Sequence, residues 1–206
     1  MLELRAVEIT LAGRVLVPAL DARVGPGEVL AVMGASGSGK SSLLAWLAGL
    51  LEPPLEGRGE VWLDGRAVQA LPVEQRRIGL LFQDDLLFPH LTVLENLLFA
   101  LPAGARADRV ARAEAMLASA ELAGLSGRRP AELSGGQRSR VSLLRALLAA
   151  PRALLLDEPF SRLDAALRAR MREFTWTMLA RHGVPAVLVT HDRDDVPEGA
   201  RLVLIG

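Results

Sequence analysis

Apolar and polar positions alternate over Leu2-Glu3-Leu4 and again from Arg14 to Leu20, the period of two that half-buried strands show. Glu28 to Met33 is an apolar run after a Pro26-Gly27 turn pair and reads as a buried strand. It leads into a glycine- and serine-rich loop, Gly34 to Gly39. Ser41 to Ala48 follows with helical propensity and stops near Gly49. Gly59 to Leu63 with Asp64-Gly65 carries a hairpin signal, and Ile78 to Phe82 is another short apolar strand.

The pattern then changes period. From Val93 to Leu122 strand signals vanish and Leu, Ala, Glu and Arg dominate, with Val110, Met116, Leu117 and Leu122 at helical spacing. Gln137 to Ala150 predicts a further helix, ended by Pro151. Ala153 to Leu156 and Ala186 to Thr190 read as buried strands on either side of an amphipathic helix, Ala165 to Arg181. Strand and helix alternation around a helical insert predicts an α/β core with a parallel sheet. No repeat, low-complexity tract or long linker divides the chain. Residues 1–206 therefore read as one domain, with a β subdomain and α/β core in 1–83 and 151–206 and a helical subdomain in about 84–150.

Composition narrows the functional classes. Lys plus Arg and Asp plus Glu are equal at 24 each, so no excess positive charge is available to hold a nucleic-acid backbone. There is no cysteine, hence no disulfide, thiol nucleophile or thiolate metal site, which suits a reducing compartment. The longest uncharged stretches, Val29 to Gly39 and Ser41 to Leu51, are 11 residues, short of the ~20 that span a bilayer. The charged start Met1-Leu2-Glu3-Leu4-Arg5 does not read as a signal peptide, and a cytoplasmic protein is expected. Of the 24 basic residues only Lys40 is lysine, which marks a position where the planar arginine fork does not serve.

Lys40 lies in Gly34-Ala35-Ser36-Gly37-Ser38-Gly39-Lys40-Ser41, which satisfies G-x-x-x-x-G-K-[ST] directly after a strand and before a helix. The glycines let backbone N–H groups face an anion, the Lys40 ammonium reaches β- and γ-phosphates, and the Ser41 hydroxyl is placed to ligate Mg²⁺. Asp157 and Glu158 close the strand Leu154-Leu155-Leu156, at the end where ligands of open α/β sheets collect. Asp157 fits a Mg²⁺-supporting carboxylate and Glu158 a base or orienter for water, while for the pair alone a helix cap before Pro159 is the alternative. Leu133-Ser134-Gly135-Gly136-Gln137 opens an arginine-rich helix. Alone it is either an ordinary N-cap or a second anion-binding helix end.

In order, the phosphate loop, Gln83 after a strand, Leu133 to Gln137, Asp157-Glu158, Ser161-Arg162-Leu163-Asp164 and Thr190-His191-Asp192 resemble the ATP-binding cassette (ABC) ATPase family over essentially the whole chain. The resemblance implies an α/β P-loop ABC core with an N-terminal antiparallel β subdomain and an inserted helical subdomain. It implies a head-to-tail homodimer, with ATP between the loop of one copy (Gly34 to Ser41, with Ser42 beside it) and Ser134, Gly135, Gly136 and Gln137 of the other. Gln83 then touches Mg²⁺ or water and senses a membrane partner, Asp164 communicates across the dimer, and His191 contacts the γ-phosphate. Lys40, Glu158 and His191 become the catalytic set, and Ser41, Gln83 and Asp157 the Mg²⁺ set. For His191 alone, a satisfied histidine at a strand end is the alternative.

Phe82 to Asn96 is similar to the corresponding part of ABC importers that work with a substrate-binding protein and membrane permease subunits. Leu86, Leu87, Phe88, Leu91 and Val93 are then either a groove for a short helix of the membrane subunit or packing within the helical subdomain. The chain departs from the family where an aromatic residue usually stacks on adenine, because it has no tyrosine and Leu11 and Ala12 stand there. Modest ATP affinity and little base selectivity follow. Ser42 replaces a frequent threonine. The chain ends soon after the His191 strand, which resembles the short thiamine and iron type without a regulatory domain. An ATPase subunit of an importer, peripheral on the inner membrane face, is the leading expectation. An exporter or lipid-release ATPase and a mechanical ABC ATPase on DNA or the ribosome are the alternatives.

Overall fold

In the computed structural model, which describes residues 1–206, the early alternation becomes an antiparallel sheet. The strands are β1 (Leu2–Leu11), β2 (Arg14–Val24), β3 (Val29–Met33), β4 (Leu55–Leu63), β5 (Arg66–Ala67), β6 (Ile78–Leu81), β7 (Ala153–Asp157), β8 (Ala186–Thr190) and β9 (Arg201–Leu204). The helices are α1 (Lys40–Ala48), α2 (Val73–Arg76), α3 (Val93–Ala100), α4 (Arg106–Ser119), α5 (Gly135–Leu148) and α6 (Ala165–His182). Two compact units form. One holds Met1–Leu80, Arg152–Glu158 and Trp176–Gly206, and the other Leu81–Pro151 and Pro159–Thr175.

In the first unit, β2-β1-β4-β5 make the antiparallel sheet. Leu2 and Leu4 point into the core at even positions, and Val7 and Ile9 at odd ones. A strict period of two cannot do this. The register shifts between Leu4 and Val7 against β2 and between Arg5 and Glu8 against β4, so a bulge returns the side chains to the core face. Gly59, at φ 105, makes room for it: a Cβ there would lie 2.5 Å from the Ala6 carbonyl oxygen.

The second sheet has the order β6-β7-β8-β3-β9, with β7, β8, β3 and β9 parallel. Its central strands are apolar on both faces, as parallel strands covered on two sides require. Leu30, Val32, Leu155, Val187 and Val189 share one core with Leu43, Leu44 and Leu47 of α1 and with the inner face of the antiparallel sheet. Gly49 ends α1 in the left-handed conformation, its N–H returning to Ala45 and Trp46. Arg76 is buried beside that end and donates to the carbonyls of Trp46 (2.8 Å), Leu47 (3.0 Å), Gln69 (2.5 Å) and Leu71 (3.0 Å). A cation at a helix C-terminus meets both the orphan carbonyls and the dipole.

In the second unit, Thr92 and Glu95 form a reciprocal capping box that starts α3. Buried Asn96 accepts from the Phe88 N–H (2.8 Å) and donates to the carbonyls of Phe88, Leu91 and Thr92, fixing the loop before the helix. The helical stretch expected over Val93 to Leu122 is two helices, broken where Pro102 and Gly104 interrupt the chain. Val93, Leu97, Leu117 and Val141 are fully buried in this unit, whereas Leu86 and Phe99 are exposed at 54% and 69%. Residues 159–175, grouped with the core by sequence, pack with the second unit. The short elements α2 and β9 carry no periodic signal.

Candidate active site

Strand register assembles the site. Met33 pairs with Thr190 and Asp157 with Val189, so Gly34, Glu158 and His191 leave the parallel sheet at the same edge. This is the carboxyl edge, where open α/β sheets bind ligands.

The loop from Gly34 turns into α1 at Gly39, which holds φ 91 and accepts the Leu43 N–H at 2.8 Å. No side chain caps this helix, so its first N–H groups have neither an intrahelical nor a capping acceptor. Lys40 is buried and folds back, its Nζ donating to the carbonyls of Gly34 and Ala35, both at 2.8 Å. Next to it Ser41 Oγ donates to Asp157 Oδ1 at 3.1 Å. The Asp157 carboxyl lies above the ordinary aspartate range, chiefly through burial; Glu158 raises it further, while the Ser41 hydrogen bond and the Lys40 charge pull it down.

Glu158 has a left-handed backbone at φ 44, a strained conformation for a residue with a Cβ, and its N–H is bound to the Val189 carbonyl at 3.0 Å. The turn aims its side chain at His191, with Oε2 and Nδ1 3.2 Å apart. The turn carrying His191 is fixed from beneath: the hydroxyl of Thr190 donates to buried Asp195 (3.0 Å) and accepts the Asp192 N–H (3.0 Å). Asp195 does not stand out in the sequence, because only its burial separates it from Asp192 and Asp194 nearby.

A cavity of about 370 Å³ opens over the loop, lined by Ser36, Lys40, Ser41, Ser42 and Glu158 at its polar part and by Leu11, Leu16, Pro54 and Leu55 elsewhere. Leu11 thus lines the space as expected. Ala12 instead occupies the β1–β2 turn at φ 49 and is absent from the lining, and Leu16, Pro54 and Leu55 join without any motif to announce them.

The remaining predicted residues lie in the second unit. Gln83 donates from Nε2 to Ser161 Oγ at 2.8 Å, and the neighbouring Asp84 is ion-paired with Arg162. Ser134 and Gln137 form a reciprocal capping box at α5, Ser134 Oγ taking the Gln137 N–H (3.3 Å) and Gln137 Oε1 the Ser134 N–H (2.9 Å). The N–H groups of Gly135 and Gly136 fall in the first turn, where a helix has no internal acceptors. Asp164 caps α6 by accepting the Leu167 N–H at 2.9 Å.

Residues 18–161 match the family model described as ABC transporter. The chain belongs to the ABC transporter family. As an ABC cassette it binds and hydrolyses ATP, on the α/β P-loop fold expected from its motifs. It is 46% identical over 200 residues to the ABC transporter ATP-binding protein YnjD of Escherichia coli (strain K12), covering 96% of this chain and 91% of that one. It is 46% identical over 178 residues to the taurine import ATP-binding protein TauB of Pseudomonas savastanoi pv. phaseolicola (strain 1448A / Race 6), covering 85% of this chain and 66% of TauB. It spans only about half the length of sulfate/thiosulfate and Fe(3+) import relatives. Its fold is similar to that of the ATP-binding cassette MJ0796, solved as a dimer in a post-hydrolysis state with ADP and Pi. The TM-score is 0.77 at 32% identity, over 100% of this chain and 94% of that one. No helix of this cassette is long and apolar enough to cross a membrane.

Proposed function

We propose that this cassette is the ATP-hydrolysing subunit of an ABC importer, working as a head-to-tail homodimer under separate membrane permease subunits. The observation that carries the reading is the convergence of Lys40, Ser41, Asp157, Glu158 and His191 at one sheet edge. Import is supported by the names of relatives such as TauB. Those relatives carry different substrates at similar identity, in keeping with a substrate chosen by the permease and by a substrate-binding protein that this subunit meets only indirectly.

In this mechanism Lys40 exchanges the Gly34 and Ala35 carbonyls for the β- and γ-phosphate oxygens, a stronger acceptor pair for an ammonium. Ser41 and Asp157 suit Mg²⁺: both are hard oxygen donors, they already touch, and the partly buried carboxylate lacks a full counter-charge. No cluster of three acidic or histidine ligands exists, as befits an ion completed by phosphate and water. An Mg²⁺ held by Ser41 and Asp157 would supply charge neutralisation for the phosphates. Glu158 orients the attacking water and takes its proton, held on line by His191, whose second ring nitrogen meets the γ-phosphate. The partner copy presents its Ser134 to Gln137 helix end to the same phosphate, and its Asp164 loop relays closure. Exposed Leu86 and Phe99, with Phe88 packed edge-on against Phe99 at 4.8 Å, form the apolar face for a permease helix, which keeps the subunit on the inner membrane surface.

The test is steady-state ATPase activity and ATP-dependent dimerisation of the wild type, Glu158→Gln and Lys40→Ala. Glu158→Gln is expected to bind ATP, dimerise and hydrolyse at least about 100-fold more slowly, and Lys40→Ala to lose productive binding. A wild-type rate in Glu158→Gln overturns the water-orienting role, and retained turnover in Lys40→Ala overturns the phosphate seat.

A further inference from the structure

The amino ends of β6 and β7 gather arginine. Arg77 immediately precedes β6, Arg152 immediately precedes β7, and the Arg152 N–H donates to the Arg77 carbonyl at 2.8 Å, which sets the two residues side by side. The length of β7 separates Arg152 from Glu158 at the hydrolytic edge. With Arg66 of β5 and buried Arg76, these arginines line a cavity of about 250 Å³ within the first unit. Asp64 is the only acid in the lining, and apart from Gln75 the rest is aliphatic. Because the whole chain carries no net charge, four guanidinium groups around one cavity are a local excess. The fold does not neutralise it. One oxygen of Asp64 takes the N-terminal ammonium at 2.6 Å and the other takes Arg152 at 2.9 Å, and these cations, the ammonium first, hold its carboxyl below the usual range. Arg66 has no ion pair and no side-chain hydrogen bond. Arg76 donates only to backbone carbonyls, and burial pulls its pKa below the ordinary value with no acid to raise it.

We propose that this cavity is a second anion site, separate from the nucleotide seat, for a phosphate-type oxyanion carrying two or more negative charges. Guanidinium forks pair bidentately with phosphate oxygens, and Arg66, Arg77 and Arg152 are solvent-exposed, so an anion reaches them directly. Arg76 adds a fixed charge. Its side chain is already locked by four carbonyls and loses no further rotamer freedom when an anion arrives. The aliphatic part of the lining lowers the local dielectric and strengthens each pairing. Asp64 opposes an anion only weakly, because the ammonium and Arg152 offset its charge. A monovalent anion leaves most of the surplus unbalanced, whereas a phosphomonoester or pyrophosphate group matches it. A free phosphorylated molecule and a phospholipid headgroup present the same chemistry. Occupancy of this site needs nothing from Lys40 or Ser41.

The experiment is calorimetric titration of inorganic pyrophosphate into the chain carrying Lys40→Ala, which removes the cation of the phosphate loop, and into the same protein with Arg66→Glu or Arg77→Glu added. Lys40→Ala is expected to bind pyrophosphate, and either reversal to weaken it at least about tenfold, since each changes the charge facing a multivalent anion by two. Arg66 makes no side-chain bond in the fold, so Arg66→Glu is expected to keep the parent Tm. In the otherwise wild-type chain both reversals are expected to leave ATP Kd and turnover within about twofold. Sedimentation with vesicles separates the two sources. Retention of Lys40→Ala on phosphatidylcholine containing phosphatidic acid but not on phosphatidylcholine alone, lost with Arg66→Glu, identifies a headgroup; pyrophosphate binding without such retention identifies a free oxyanion. The proposal is overturned if neither pyrophosphate nor the acidic vesicles bind Lys40→Ala, or if binding is unchanged by both reversals. It is also overturned if the reversals weaken ATP in step with pyrophosphate, which places both anions on one seat.

Discussion

Replacing Asp157 with asparagine removes a charge that the ligand-free fold holds at a cost. Burial pushes this carboxyl above its ordinary value near 3.8, and neighbouring Glu158 adds to the shift. An acid raised in the folded state contributes stability that is fully present below its unfolded pKa and lost as pH rises through the folded value. The ligand-free protein therefore bears a penalty that grows as pH rises through the folded value. The asparagine side chain keeps an oxygen for the Ser41 hydroxyl, now 3.1 Å from Asp157 Oδ1, and drops the charge. Because the site is partly open, solvent screening limits the gain to about 1 kcal/mol, or about 2–4 °C in Tm for a chain of this size. Mg·ATP reverses the order. At a nucleotide concentration about 100 times the wild-type Kd, binding stabilises the wild type by about 2.7 kcal/mol. If loss of the carboxylate weakens Mg·ATP about 100-fold, the variant gains only about 0.4 kcal/mol at the same concentration and ends less stable than the wild type by about 1 kcal/mol. The assay is thermal unfolding of both proteins at one protein concentration and pH 7, with and without Mg·ATP. The reasoning is refuted if Asp157→Asn melts at or below the wild type without ligand, or if Mg·ATP stabilises both equally.

Two further outcomes follow from buried hydrogen bonds. Arg76→Ala removes the donor shared by four carbonyls at and near the end of α1, of which Trp46 keeps the Gly49 N–H, and is expected to cost about 3 kcal/mol in denaturant unfolding, with Arg76→Lys recovering only part, since one ammonium cannot span all four; a loss under about 1 kcal/mol removes Arg76 as the cap of α1. Thr190→Val unties the turn of His191 from Asp195 and is expected to lower kcat about tenfold while leaving ATP Kd within about twofold; equal losses in both show that the turn serves binding instead.

Much of this protein is written locally. The phosphate loop could be recognised because its chemistry needs glycines, a lysine and a hydroxyl at fixed short spacing between a strand and a helix, and eight consecutive residues hold them all. The buried strands ending at Met33, Asp157 and Thr190 showed as apolar runs, because a parallel strand covered on both faces has no polar side to interrupt it. The capping boxes at Thr92–Glu95 and Ser134–Gln137 are likewise local, one turn of chain bonding to itself.

The meeting of segments distant in the chain was decided only by the tertiary fold. No local pattern says that Met33 pairs with Thr190 and Asp157 with Val189, yet that register brings Glu158 within 3.2 Å of His191 and Ser41 within 3.1 Å of Asp157. The bulge at Ala6 depends on Gly59 in another strand. The strand Arg201–Leu204 is too short to show a period and forms because β3 offers it an edge. Leu16, Pro54 and Leu55 are ordinary aliphatic residues in sequence, and they line the cavity over the phosphate loop because β2 and β4 flank β1 beside it. Backbone chemistry over a few residues is fixed by their identity, whereas proximity across the chain is fixed by packing and strand register, which no short window contains.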